Sequence, residues 1–159
     1  MNSGSSVFDR ICRLLDAIGV GYQVKEHSPT FTSRESATAR EDALGIGGKA
    51  LVFKTKTGFA NVVVPADKKV DSRQLKKMLS TKSLRFATKE ELLNLTGLEP
   101  GAVPPFGSPI FELKLFVAEE VYDNDLISFN AGDHTRSISM ISADHLKVAK
   151  PIILTGITV

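Results

Sequence analysis

The candidates for chemistry in this 159-residue sequence are one lysine and one loop. Lys49 stands at the mouth of an apolar run, Ala50-Leu51-Val52-Phe53. A partly desolvated ammonium there can neutralise a phosphate or a developing negative charge. Lysines at strand ends are also commonly solvated and idle, and residue 49 alone does not choose between the two readings. The loop is residues 96–107, TGLEPGAVPPFG, in which Gly and Pro are concentrated beyond what a simple connection needs. Backbone amides held in a stiff curve form an oxyanion site for the tetrahedral intermediate of ester cleavage. Gly101, Ala102, Phe106 and Gly107 retain such donors, whereas the three prolines have none. A rigid connector is the competing reading, and lysine and loop become persuasive only together.

Other catalytic signatures are missing. There is no GxSxG elbow, no phosphate-binding Walker loop, no HExxH and no Gly-rich dinucleotide fingerprint. His27, His134 and His145 are far apart in sequence and no zinc-ligand spacing joins them, so neither a metal nor a cofactor is expected. The single cysteine, Cys12, excludes an intramolecular disulfide and reads as part of a buried helical stripe with Phe8, Ile11 and Leu15.

The elements that must position the lysine and the loop can be read from periodicity and capping. Val7–Ile18 carries apolar residues at helical spacing, with Ser5 or Ser6 as cap and Gly19 as terminator. Tyr22–Glu26 alternates as a strand and leads into His27-Ser28-Pro29. Thr32 with Glu35 is a capping-box pattern that opens a short helix over residues 33–44, rich in Ala and charge and expected to expose a solvated polar face. Residues 49–55 and 59–64 read as a hairpin that begins at Lys49. Asp71 caps a helix through residue 79, a short strand covers 84–87, and Thr88 with Glu91 caps a helix that Gly97 stops. Beyond the loop, strand-type composition covers 113–121, 126–130 and 137–141; Ser142 caps a helix over 143–148, and 152–159 reads as a final strand. Irregular alternation of strands and short helices argues for a single α+β domain over residues 1–159, with a mixed, mainly antiparallel central sheet.

Composition sets the wider bounds. With 42% hydrophobic and 24% charged residues the chain is an ordinary globular sequence with one expected core. A net charge of +2 permits contact with an anionic partner without demanding it. The basic residues Lys68, Lys69, Arg73, Lys76 and Lys77 fit either an RNA contact or a solvated face, and the solvated face is the commoner outcome. No run approaches the about 18 apolar residues that span a membrane. No leader of secretory type opens the sequence, so the cytoplasm is the expected compartment.

Four motifs in order make a family resemblance: residues 27–37 (HSPTFTSRESA), residues 49–54 (KALVFK), the loop ending at Gly107, and residues 130–134 (NAGDH). Together they resemble the YbaK family, also called the prolyl-tRNA synthetase-associated or INS-like editing domain. The resemblance covers nearly the whole chain and implies a mixed α+β fold and a deacylase that hydrolyses the ester of a mischarged aminoacyl-tRNA, typically tRNA(Pro). It implies Lys49 as the active-site lysine and Gly101 as the glycine whose backbone contacts the ester. His27 and Thr32 match the front of the pocket, and Gly132 and His134 the later loop beside it. On this reading Lys49 stabilises the aminoacyl end, the amides of Gly101 and Ala102 stabilise the carbonyl oxygen, and Phe106 and Gly107 complete the substrate loop. The partners implied are the acceptor end of tRNA and an aminoacyl-tRNA synthetase. The alanine-removing branch usually has asparagine after the lysine, where this sequence has Ala50. A catalytically silent module that binds the acceptor end or a synthetase remains the alternative.

Overall fold

The computed structural model describes residues 6–159. Helix α1, Val7–Ile18, starts where Ser6 Oγ accepts from the Asp9 amide at 3.1 Å; the alternative cap, Ser5, lies outside the described residues. Val7, Ile11 and Leu15 are its buried stripe, and Gly19, in the left-handed region, ends it by returning its amide to the Leu15 and Asp16 carbonyls. Strand β1, Tyr22–Glu26, follows. Helix α2, Ser33–Arg40, has the expected reciprocal box between Thr32 and Glu35. It stops earlier than the expected residue 44, because Glu41 takes φ 60° and caps the Ala37 and Thr38 carbonyls; Leu44–Ile46 is a separate 3-10 turn.

Strands β2 (Gly48–Thr55) and β3 (Phe59–Pro65) form the anticipated hairpin, with Lys49 opposite Val64. Helix α3 (Ser72–Met78), strand β4 (Leu84–Phe86) and helix α4 (Lys89–Thr96) follow the capping signals of Asp71 and Thr88. Strand β5 is only Lys114–Ala118, since residues 119–123 wind into a 3-10 turn that buries Val121 and turns Tyr122 toward His145. Strands β6 (Leu126–Asn130) and β7 (Arg136–Ile141) lead to helix α5, Ser142–Ala149. Ser142 is the first residue of that helix and not its cap: its hydroxyl donates to the Asn124 carbonyl. The final strand, β8, covers Ile152–Leu154, and the tail beyond Gly156 pairs with residues 69–71 through a bridge between Thr158 and Val70, flanked by backbone hydrogen bonds between Lys69 and Val159 and from the Asp71 amide to the Ile157 carbonyl.

The architecture is α+β, with four of the six strand pairings antiparallel. The strands divide into a five-stranded mixed sheet, β4-β2-β3-β5-β8, and a three-stranded antiparallel sheet, β1-β7-β6. Among the described residues one backbone bridge, between Gly47 and Ser128, joins them. One apolar cluster packs α1, the loop around Phe106 and the inner faces of β5 to β7; a second packs Phe53, Val62, Val64 and Leu75 on the larger sheet. Among the described residues no helix is long and apolar enough to cross a membrane.

His145 locks the Gly/Pro loop to this frame. Its Nε2 donates to the Pro105 carbonyl at 2.8 Å, which leaves Nδ1 to accept from the Tyr122 hydroxyl, also at 2.8 Å. Complete burial pushes the imidazole pKa down to about 4. An unfolded histidine titrates at about 6.5, so between the two values the unfolded chain binds a proton that the folded chain refuses. Stability should therefore fall as the pH drops through that window, by up to roughly 1.4 kcal/mol per pH unit. Denaturant melts over this range check it: His145→Gln, which can keep both hydrogen bonds without titrating, should flatten the profile, and a flat wild-type profile would contradict it.

Candidate active site

Where β2 begins, the chain passes the amino end of α2, the end of β6 and the Gly101 turn, and these four pieces enclose a cleft of about 180 Å³. Lys49, Gly101 and Thr32 all line it. Lys49 is half-buried and its Nζ donates to the Lys68 carbonyl at 2.9 Å, which fixes the amine while leaving further N–H groups for a ligand. Desolvation lowers its pKa, the neighbouring charge of Lys69 lowers it further, and Asp67 opposes both. An amine whose charge is already disfavoured gains more from a developing anion than a solvated lysine would.

Beneath the cleft lies a polar network. Arg40 is only 3% exposed; its Nε donates to Asp42 at 3.0 Å, and its Nη1 reaches Ser137 Oγ at 3.2 Å and Asn130 Oδ1 at 3.4 Å. Asn130 Nδ2 in turn donates to the Gly101 carbonyl at 2.8 Å and lies 3.3 Å from Ser36 Oγ, which pairs with Thr30 Oγ1 at 2.7 Å. Burial lowers the Arg40 pKa while Asp42 counters it, so the guanidinium is kept by specific partners and not by solvent. The consequence is local: the Gly101 carbonyl is pinned by Asn130, which fixes the peptide orientation of the turn. Gly101 itself has φ 87°, and its amide makes no hydrogen bond among the described residues.

The remaining sequence candidates fall elsewhere. The Ala102 amide donates to the Glu99 carbonyl at 3.1 Å, its carbonyl accepts from Gly132, and the residue is buried, so its amide is engaged within the turn and not offered to the cleft. Phe106 is a core residue packed edge-on to Phe129 and His145, and its amide goes to the Pro104 carbonyl. Gly107 is required because a Cβ would sit 2.6 Å from the Leu113 carbonyl oxygen. Gly132, at φ 92°, lets α1 approach, with Val7 Cβ 3.0 Å from where its own Cβ would be. His27 stands behind the cleft, its Nε2 at 2.8 Å from Ser137 Oγ and its Nδ1 donating to the Ser28 carbonyl at 2.9 Å. His134 is at the rim: Nδ1 donates to the Thr30 carbonyl at 2.7 Å, and the ring packs against Phe31 and Gly101.

Sequence reading therefore missed Ser36, Arg40 and Asn130, all of which line the cleft. The polar face of α2, expected to be solvated, instead buries Ser36 and Arg40. The available signal was an arginine in the last turn of a helix, preceded by the small residues Ser36, Ala37, Thr38 and Ala39. A guanidinium there can fold inward once a distant asparagine and a nearby aspartate accept its hydrogen bonds.

Comparison with known proteins gives a consistent set of similarities. Residues 27–148 match the family model described as the aminoacyl-tRNA editing domain. The chain is 33% identical over 156 residues to the multifunctional Ser/Thr-tRNA deacylase ProXp-y of Escherichia coli K12, covering 95% of this chain and 93% of that protein. It is 26% identical over 143 residues to the prolyl-tRNA editing protein ProX of Acetoanaerobium sticklandii, covering 86% of each. In the proline–tRNA ligase of Bacillus subtilis the match is 30% over 112 residues, 69% of this chain but 20% of the ligase. Among solved structures, one provisionally assigned as a trans-editing enzyme for prolyl tRNA synthetase superposes with a TM-score of 0.82 at 25% identity, covering 96% of this chain and 98% of that one.

Proposed function

The chain belongs to the aminoacyl-tRNA editing domain family, and from that membership we propose that it is a single-domain deacylase that hydrolyses mischarged aminoacyl-tRNA in trans. The observation that carries the reading is that Lys49 and Gly101, 52 residues apart in sequence by the difference of their numbers, bound the same small cleft. An aminoacyl ester is already reactive, and the neighbouring ribose hydroxyl can orient water or relay a proton, so no triad is needed. The enzyme's part is to place the ester carbonyl between the free Gly101 amide and the Lys49 amine and to stabilise the oxygen as it becomes anionic. Ala102 has no direct part, and Asn130 and Arg40 act by holding the Gly101 turn.

The substrate amino acid in this reading is serine or threonine. The ProXp-y relative carries that specificity in its name, and the cleft floor here presents the Ser36 hydroxyl, a group able to pair a substrate hydroxyl. A site built to bond a hydroxyl disfavours the analogue lacking it, whereas size alone separates one methylene by only about 1–3 kcal/mol. Ala50 beside Lys49 agrees with a substrate other than alanine. The natural partners are the tRNA acceptor end and, in the cytoplasm, the prolyl-tRNA synthetase whose errors would be corrected.

The test is hydrolysis of labelled Ala, Ser, Thr, Cys and Pro esters on one tRNA(Pro). Selective release of Ser and Thr is the expected result. Release of Ala alone would overturn the specificity, and release of none with tRNA binding retained would identify a silent acceptor-end module.

A further inference from the structure

Two recesses meet at Gly101. Besides the polar cleft there is a larger apolar groove of about 280 Å³ between β2, Phe86 at the end of β4, Leu92 of α4 and Pro100. Ala50, Leu51, Gly101 and Val103 line both. A ligand held at the Gly101 turn can therefore extend to both sides of it without leaving the protein surface.

Phe86 is the notable wall of the groove. One face of its ring stacks on Phe53, with centroids 4.7 Å apart and planes 23° from parallel, yet the side chain is 61% exposed. Its surroundings are fixed beforehand: Arg85 is bidentate on Glu91 at 2.8 and 3.0 Å, and Glu91 also accepts from the Thr88 amide at 2.8 Å, tying β4 to the start of α4. A preorganised aromatic face beside an apolar slot suits a flat, weakly polar ring, because stacking needs no side chain to be ordered on binding.

An aminoacyl-tRNA end has two parts joined at one carbonyl, a small amino acid and the terminal adenosine. With the carbonyl at Gly101, as the deacylase reading requires, the polar 180 Å³ cleft matches the amino acid and the roomier apolar groove matches the purine. We propose that the groove beside Phe86 receives the terminal adenine of the tRNA acceptor end, stacked on the free face of Phe86. The inference rests on the deacylase reading for the identity of the ligand. The competing platform is Phe31, 66% exposed and packed on His134 with centroids 4.7 Å apart, but Phe31 lines the polar cleft that the amino acid fills.

The chain contains no tryptophan, so Phe86→Trp and Phe31→Trp each introduce a sole indole as reporter. The probe is an uncharged acceptor minihelix ending in CCA, compared with the same minihelix ending in CC. Saturable quenching of Phe86→Trp by the CCA form, weaker for the CC form and absent from Phe31→Trp, is expected. Equal response to both minihelices, no response, or a response at Phe31→Trp alone would overturn the assignment. In deacylation, Phe86→Ala should raise KM about tenfold with little change in kcat, and Phe86→Tyr should restore it. Loss of kcat with unchanged KM would also overturn it. Because the fluorescence measurement needs no hydrolysis, failure of the deacylase reading would show separately, as a wild-type protein that leaves every ester intact.

Discussion

Lys49→Ala is expected to reduce kcat/KM for ester hydrolysis by about 10²- to 10³-fold, the range found when one oxyanion donor is removed from a preorganised site. The loss should fall mainly on kcat, since the amine meets the carbonyl oxygen most strongly once that oxygen carries charge. The fold should not suffer. Truncation removes one hydrogen bond to the Lys68 carbonyl but also removes a desolvated charge crowded by Lys69, so the thermal midpoint should stay the same or rise. A melting curve beside single-turnover kinetics separates the two effects. A variant with wild-type turnover would remove Lys49 from the mechanism, and one that melts early would show that the lysine supports the fold.

Gly101→Val is the second large effect. At φ 87° a β-branched residue is strained, and a Cβ at this position would sit 3.2 Å from His134 Cε1, inside ordinary contact distance. The left-handed conformation alone costs roughly 1–2 kcal/mol for an L-residue. If the turn relaxes to escape it, the amide assigned to the ester carbonyl moves, and at least a 10²-fold loss of rate follows from a misplacement of about 1 Å. Circular dichroism and a melt must accompany the kinetics. Gly101→Ala, with less bulk at the same φ, should lose less, and adding His134→Ala should recover part of the clash but none of the strain. A folded Gly101→Val protein with full activity would sink the loop assignment.

Much of the fold was legible because local signals were strong. Ser6, Thr32, Asp71 and Thr88 each cap the helix their sequence context indicated, and Gly19 and Gly97 end theirs in the left-handed region. Misreadings came where a distant partner decided the outcome. Ser142 gives its hydroxyl to Asn124, and β5 ends early where Tyr122 turns in to bond a histidine 23 residues on. The division into two sheets was likewise not legible, since pairing partners leave no mark in a single strand. At the proposed site, Lys49 and the Gly101 turn could be picked as candidates by type and position, and both line the one cleft. The floor could not be picked: Arg40 and Ser36 carry the composition of a surface helix, and their burial is made tolerable by partners that include Asn130 and Ser137, ninety or more residues beyond Arg40.

The bridge between Gly47 and Ser128 has a mechanical meaning. The cleft draws Lys49 from one sheet and Asn130 from the other, so it is a slot whose two jaws belong to different sheets, linked by a backbone bridge and by a shared apolar cluster. The sheets sit close there because Gly48 has no side chain: a Cβ would come within 2.9 Å of Ile127 Cδ1. The slot's width is therefore set by how residues such as Ile127 and Val63, which do not themselves line the cleft, shim the joint behind Gly48. Substrate range in this architecture can drift through changes in that shim while every group that touches the substrate stays the same.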